Sequence, residues 1–146
     1  MGTPNIMLIG CGPHAKRVYV PKLKEVENEF RIKLKAVVEL EEKEEDVKKF
    51  ISNYFENIEY IFIEKFESKY RQNLPKEIES RLDNIVKKEN INSVIIATDP
   101  LNHMQYALWA LKNKLHILMD KPISTYDNIS NNVEQAEQLK RDYELL

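Results

Sequence analysis

Residues 5–15, Asn5-Ile6-Met7-Leu8-Ile9-Gly10-Cys11-Gly12-Pro13-His14-Ala15, decide how the rest of this chain is read. Asn5–Ile9 is a short apolar run without polar alternation, the pattern of a strand buried on both faces. The run ends at a glycine turn. From Pro13 onward Ala15, Val18, Tyr19, Leu23 and Val26 recur at helical spacing. Pro21 falls inside that helix and is expected to kink it, because proline has no N–H to donate and crowds the carbonyl of Arg17.

Gly10, Gly12 and Ala15 form a G-x-G-x-x-A pattern, and they include two of the chain's three glycines. The bare pattern is common; its place between a strand and a helix gives it a physical meaning. The first glycine permits the tight turn, the second lets backbone approach a pyrophosphate, and the small third residue lets helix and strand pack closely. The helix N-terminus adds unpaired N–H groups and partial positive charge. Pro13 and His14 fill the intervening positions and belong to the same candidate phosphate turn. The alternative is a turn that merely joins strand to helix.

Outward from this turn, strand and helix alternate. Lys35–Leu40 reads as a second strand, and Val47, Phe50, Ile51, Tyr54 and Phe55 as an amphipathic helix. Tyr60–Ile63 is a third strand. Pro75 stands at the start of a helix with Ile78, Leu82, Ile85 and Val86 on one face. Ser93–Thr98 is a fourth strand, followed by the helical stripe Met104, Ala107, Leu108 and Leu111. Leu115–Met119 is a fifth, and Ile129, Val133, Ala136 and Tyr143 mark a last helix. This alternation predicts an α/β fold, a Rossmann-like doubly wound parallel sheet with helices on both faces.

Glu39 lies near the end of the second strand, 24 residues beyond Ala15. A carboxylate there can accept hydrogen bonds from both hydroxyls of an adenosine ribose. It would repel a 2′-phosphate, and Glu41, Glu42, Glu44, Glu45 and Asp46 add negative charge nearby. The expected cofactor is therefore NAD rather than NADP. Alternatively, Glu39 only opens a solvated acidic helix end, where carboxylates suit the dipole. A methyltransferase reading of the glycines is weaker, because those enzymes carry an acidic residue just before the first glycine and Ile9 stands here.

The stretch SVIIATDPLNHMQYALWALKNKLHILMDKPIST, residues 93–125, together with IMLIGCGPHAKRVYVPKL, strongly resembles the Gfo/Idh/MocA family of nicotinamide-dependent oxidoreductases. The features that carry the resemblance are Ala97-Thr98, Pro100, His103 and Asp120-Lys121-Pro122. They cover the two ends of the chain, while Glu41–Asn92 is similar in plan only. Two departures stand out: Asp99 separates Thr98 from Pro100, and Asp120 replaces the commoner Glu. The resemblance implies that Thr98, Pro100, His103, Asp120, Lys121 and Pro122 join Gly10, Gly12, Pro13, His14, Ala15 and Glu39 in binding the cofactor. It also implies that Lys121 is the catalytic lysine, near the nicotinamide ribose and a substrate hydroxyl. Without the neighbouring motif Lys121 would be an ordinary loop lysine, and His103 either contacts the cofactor or caps its loop. Tyr106 and Trp109 are expected to be packing residues.

Family members also carry a second α/β domain that supplies most of the substrate pocket. The resemblance therefore implies that residues 1–146 are the NAD-binding N-terminal part of a longer oxidoreductase acting on a sugar, cyclitol or similar hydroxylated substrate. A homo-oligomer is expected. The competing reading is a non-catalytic dinucleotide-binding or sensing module.

Composition narrows the remaining classes. The chain is 146 residues long, 42% hydrophobic and 32% charged, which suits one globular domain. A net charge of -2 argues against a phosphate-tracking nucleic-acid surface. No apolar run approaches the ~18 residues that would suggest a membrane span. The single cysteine, Cys11, excludes an internal disulfide and favours a reducing compartment. Leu8–Cys11 superficially suggests a lipoprotein signal but lacks a basic flank, and Met1-Gly2 lacks the Ser or Thr that myristoylation wants where Ile6 stands. The expected location is the cytoplasm, and no metal site is expected.

Overall fold

The computed structural model describes residues 2–67 and 73–146. Its strands are β1 (Asn5–Ile9), β2 (Lys33–Leu40), β3 (Glu59–Ile63), β4 (Ser93–Ile96) and β5 (His116–Met119). All pairings are parallel, and the order is β3-β2-β1-β4-β5. The helices are α1 (Val20–Phe30), α2 (Glu44–Ile51), α3 (Lys76–Lys88), α4 (His103–Lys112) and α5 (Val133–Leu145). Met1 and residues 68–72, the latter within the long middle segment, lie outside the described residues.

The strand order reverses between β1 and β4, so the two crossovers before β3 and the two after it cover opposite faces of the sheet. The period of two along β1 sends Met7 and Ile9 to one core and Ile6 and Leu8 to the other. Ile78 and Leu82 of α3 and Ala107 and Ala110 of α4 close the first core. Val20 and Leu23 of α1 with Val47 and Ile51 of α2 close the second. Burial on both sides is why β1 reads as an unbroken apolar run. The α/β, doubly wound expectation is what the structure shows. Among the described residues, no helix is long and apolar enough to cross a membrane.

Three local expectations need correction. The first helix does not run as one regular α-helix through its opening turns. Instead Ala15–Tyr19 forms a π turn, in which the Val20 N–H bonds to the Ala15 carbonyl. The i→i+5 pairing shifts the helix face by one residue. Ala15, Val20 and Leu23 are buried, whereas Val18 is 39% exposed and Tyr19 is only half-buried. The second helix stops at Ile51, so Tyr54 and Phe55 pack from the following turn, both donating N–H to the Ile51 carbonyl at 2.9 Å.

The last helix reverses its expected faces. Val133 is 77% exposed and Tyr143 50%, Ala136 is exposed, and Ile129 lies in a separate 3₁₀ turn. Gln135 and Asp142 are the buried residues of α5. The Asp142 carboxylate accepts from the Ser124 hydroxyl at 2.6 Å, the Tyr126 hydroxyl at 2.6 Å and Gln138 Nε2 at 3.2 Å. A satisfied carboxylate, rather than an apolar stripe, anchors this helix.

Candidate functional site

The carboxyl ends of all five strands open onto one cleft of about 890 Å³, a size suited to a small ligand or cofactor. Four strand spacings of ~4.8 Å make the sheet edge beneath it roughly 19 Å wide. The crevice lies where strand order reverses, the usual ligand position in open α/β sheets. Gly10, Gly12, Pro13, His14, Glu39, Thr98, Pro100, His103, Asp120 and Lys121 all line it.

The two glycines of the turn have separate reasons. Gly10 has φ +91°, and a Cβ there would lie 2.5 Å from the Ala97 carbonyl oxygen and 2.8 Å from the Thr98 nitrogen. Only glycine lets β1 turn this tightly against the end of β4. A Cβ on Gly12 would meet nothing within 4 Å, so the backbone here faces open cleft. Ala15 lies beneath the turn, 1% exposed, in the core with Ile6, Leu8 and Val20. Its small side chain supports close helix–strand packing and does not line the cleft.

Glu39 is 7% exposed. Its Oε2 accepts the Cys11 N–H at 2.8 Å, and its Oε1 accepts the Leu40 N–H at 2.9 Å. The carboxylate thus ties the end of β2 to the glycine turn. Each oxygen retains a second acceptor position. Lys43 Nζ lies 3.6 Å from Oε1, a neighbour the sequence reading did not single out. Glu42, Lys43, Lys65 and Phe66 complete this end of the cleft. The buried Cys11 thiol is pushed up to about 11, chiefly by desolvation, and is therefore an unreactive packing group near neutral pH.

At the opposite end, Asp99 caps the 3₁₀ turn Pro100–Asn102 by accepting the Leu101 N–H at 2.9 Å. The residue that departs from the family pattern therefore has a structural use. His103 is fully buried, with Nδ1 2.7 Å from the Pro122 carbonyl oxygen and Nε2 3.1 Å from that of Thr98. It lies between the loops after β4 and β5, and as a neutral imidazole it donates its single N–H to one of these two carbonyls. Pro122 enters the site through that carbonyl and does not line the cleft.

Asp120 accepts a hydrogen bond from the Tyr19 hydroxyl, and His14 Nε2 stands 3.7 Å away. Burial, followed by this bond, pushes the Tyr19 phenol up to about 12. Lys121 is exposed on the cleft and has no ion pair among the described residues. Asn102 shares the wall with its buried Oδ1 lacking a hydrogen-bond partner. Tyr106 packs edge-on against Phe66 at 6.5 Å, and burial pushes its phenol up. Trp109 Nε1 donates to Asp83 at 2.8 Å, linking α4 to α3. Among the described residues, no group of three or more His, Cys, Asp or Glu could hold a metal ion.

The arrangement fits a dinucleotide. Open backbone at Gly12 leaves room for phosphates, Glu39 keeps acceptor capacity for hydroxyls, and Lys121 offers an ammonium group at the far end. The sequence model of an oxidoreductase family with an NAD-binding Rossmann fold matches residues 4–144. No curated protein matches the chain.

Proposed function

The chain belongs to the Gfo/Idh/MocA oxidoreductase family, and from that premise we propose that it presents NAD for hydride transfer to or from a sugar, cyclitol or related hydroxylated substrate. The single observation that carries the reading is the juxtaposition of open backbone at Gly12 with the buried Glu39 carboxylate in one cleft. When bound, the nicotinamide supplies hydride chemistry that the side chains lack.

The protein's own groups bind and orient. Backbone N–H groups at the start of the first helix receive the pyrophosphate. Glu39 accepts from the adenosine ribose hydroxyls, with its position fixed by the Cys11 and Leu40 N–H groups. Its negative charge disfavours a 2′-phosphate, although Lys43 partly offsets it. Lys121 hydrogen-bonds at the nicotinamide ribose and stabilises charge developing on a substrate oxygen, while Thr98, Pro100 and Asp120 shape the wall beside it. A second domain supplies most of the substrate contacts.

Fluorescence titration tests the cofactor assignment. NADH is expected to bind more tightly than NADPH, and Glu39→Ala to narrow the gap. Equal affinity of the unaltered protein for both would overturn the choice of NAD.

A further inference from the structure

We propose that Tyr19 is a positioning residue for Lys121, acting through Asp120, and that the π turn ahead of Pro21 is what presents it. The proposal rests on the dinucleotide reading of the cleft. It begins in the spacing of the first helix. A regular helix that buries Ala15 would carry residues 18, 19 and 22 inward with it. The observed inward set is Ala15, Val20 and Leu23, a step of five followed by a step of three. Residue 19 is thereby displaced to the margin of the core. Its ring packs at that margin and its hydroxyl reaches Asp120, 101 residues away in sequence.

Asp120 is the first residue after β5, and its N–H bonds to the Ile96 carbonyl at 3.0 Å. On the other side of Lys121, the Pro122 carbonyl oxygen lies 2.7 Å from the buried Nδ1 of His103. Both neighbours of Lys121 are therefore anchored, one to the first helix and one to α4, while the lysine side chain is exposed on the cleft without an ion pair among the described residues. The backbone that bears Lys121 consequently sets the point from which its side chain reaches into the cleft. His14 reinforces the Tyr19 anchor, with its ring edge-on to Tyr19 at 5.4 Å and its Nε2 3.7 Å from Asp120. The phenol, held protonated to about 12, remains a donor throughout the neutral range. Wide turns of this kind recur at functional sites. Here its effect is to link the phosphate turn mechanically to the opposite end of the cleft.

Tyr19→Phe preserves the ring packing and removes only the hydroxyl. NADH should bind about threefold to tenfold more weakly to the variant, the range expected for one lost hydrogen bond. ADP, which lacks both the nicotinamide and its ribose, should bind with unchanged affinity and also reports that the variant is folded. In a Lys121→Ala background, Tyr19→Phe should add no further loss for NADH. Unchanged NADH affinity in the single variant overturns the proposal. So do equal losses for NADH and ADP, which would place Tyr19's effect on the whole site, and full additivity in the double variant. If the unaltered chain binds neither ligand, the dinucleotide reading fails and this proposal falls with it.

Discussion

At Gly10 a Cβ would lie 2.5 Å from the Ala97 carbonyl oxygen, whereas at Gly12 it would meet nothing within 4 Å. The same substitution should therefore act on different properties at the two positions. Gly10→Ala forces a side chain into a left-handed conformation and against β4, and should lower stability by about 1–3 kcal/mol, measured by urea unfolding. Gly12→Val should unfold like the unaltered protein yet lose NADH binding, because its branched side chain fills the space left for phosphates. Normal NADH affinity in Gly12→Val would place the ligand elsewhere. Cys11 gives a pH dependence with a definite sign. Its thiol is raised in the folded protein from 9.0 to about 11, so the folded state favours the protonated form. The stability that this contributes is intact below pH 9.0 and is lost as pH rises toward about 11. Cys11→Ala should show a smaller fall in melting temperature across that window; an identical fall would assign the effect to other groups. The motif made the glycines and Glu39 legible as residue types. Their separate uses were not, because the Gly10 constraint comes from β4 and the Glu39 position is fixed by the Cys11 N–H.

Secondary elements were legible where one physical signal determined them. β1 was recognisable over Asn5–Ile9 because both of its faces are apolar, and β2, β3 and β5 differ only at their first residues. The signal failed where it assumed a regular turn. Periodicity placed Val18 on the buried face, but the π turn shifts that face and leaves Val18 39% exposed. Pro21 was the available clue, since it supplies no N–H to close an ordinary turn, although it does not by itself distinguish a kink from a π turn. On α5 the apolar spacing was real, yet the buried residues are Gln135 and Asp142. Hydrogen bonds from Ser124 and Tyr126 to Asp142 join segments that no helical period connects. Asp142→Ala removes the acceptor for both hydroxyls. Amide hydrogen exchange should then accelerate across α5 while β1 and β4 keep their protection, because α5 is tied down by this carboxylate and the sheet is not. Uniform acceleration over the whole chain would show instead that α5 and the sheet unfold as one unit.

For the molecule as a whole, the proposed reading assigns the cleft to holding a cofactor and most of the substrate chemistry to residues elsewhere. The glycine turn, Glu39 and Lys121 line one cleft at the ends of a single sheet. Proton transfer has weaker provision. His103 is fully buried with both ring nitrogens against carbonyl oxygens, and His14 belongs to the phosphate turn beside Asp120. His103 therefore offers no open ring nitrogen, and His14, half exposed beside Lys121, is already engaged with Tyr19 and Asp120. Substrate positioning, which the family resemblance assigns to a second domain, can account for about 7–11 kcal/mol of a reaction barrier. We therefore predict that this polypeptide alone binds NADH without catalysing its oxidation or the reduction of NAD. Binding should stabilise the fold by linkage, about 2.7 kcal/mol at a ligand concentration 100 times Kd, and raise the melting temperature accordingly. Over the same concentrations, NADH absorbance should stay at the buffer rate across a panel of polyols and sugars, in both directions. A rise in melting temperature together with rapid turnover would mean that the cleft already contains a complete catalytic set, and that the division of labour between cofactor domain and substrate domain is drawn in the wrong place.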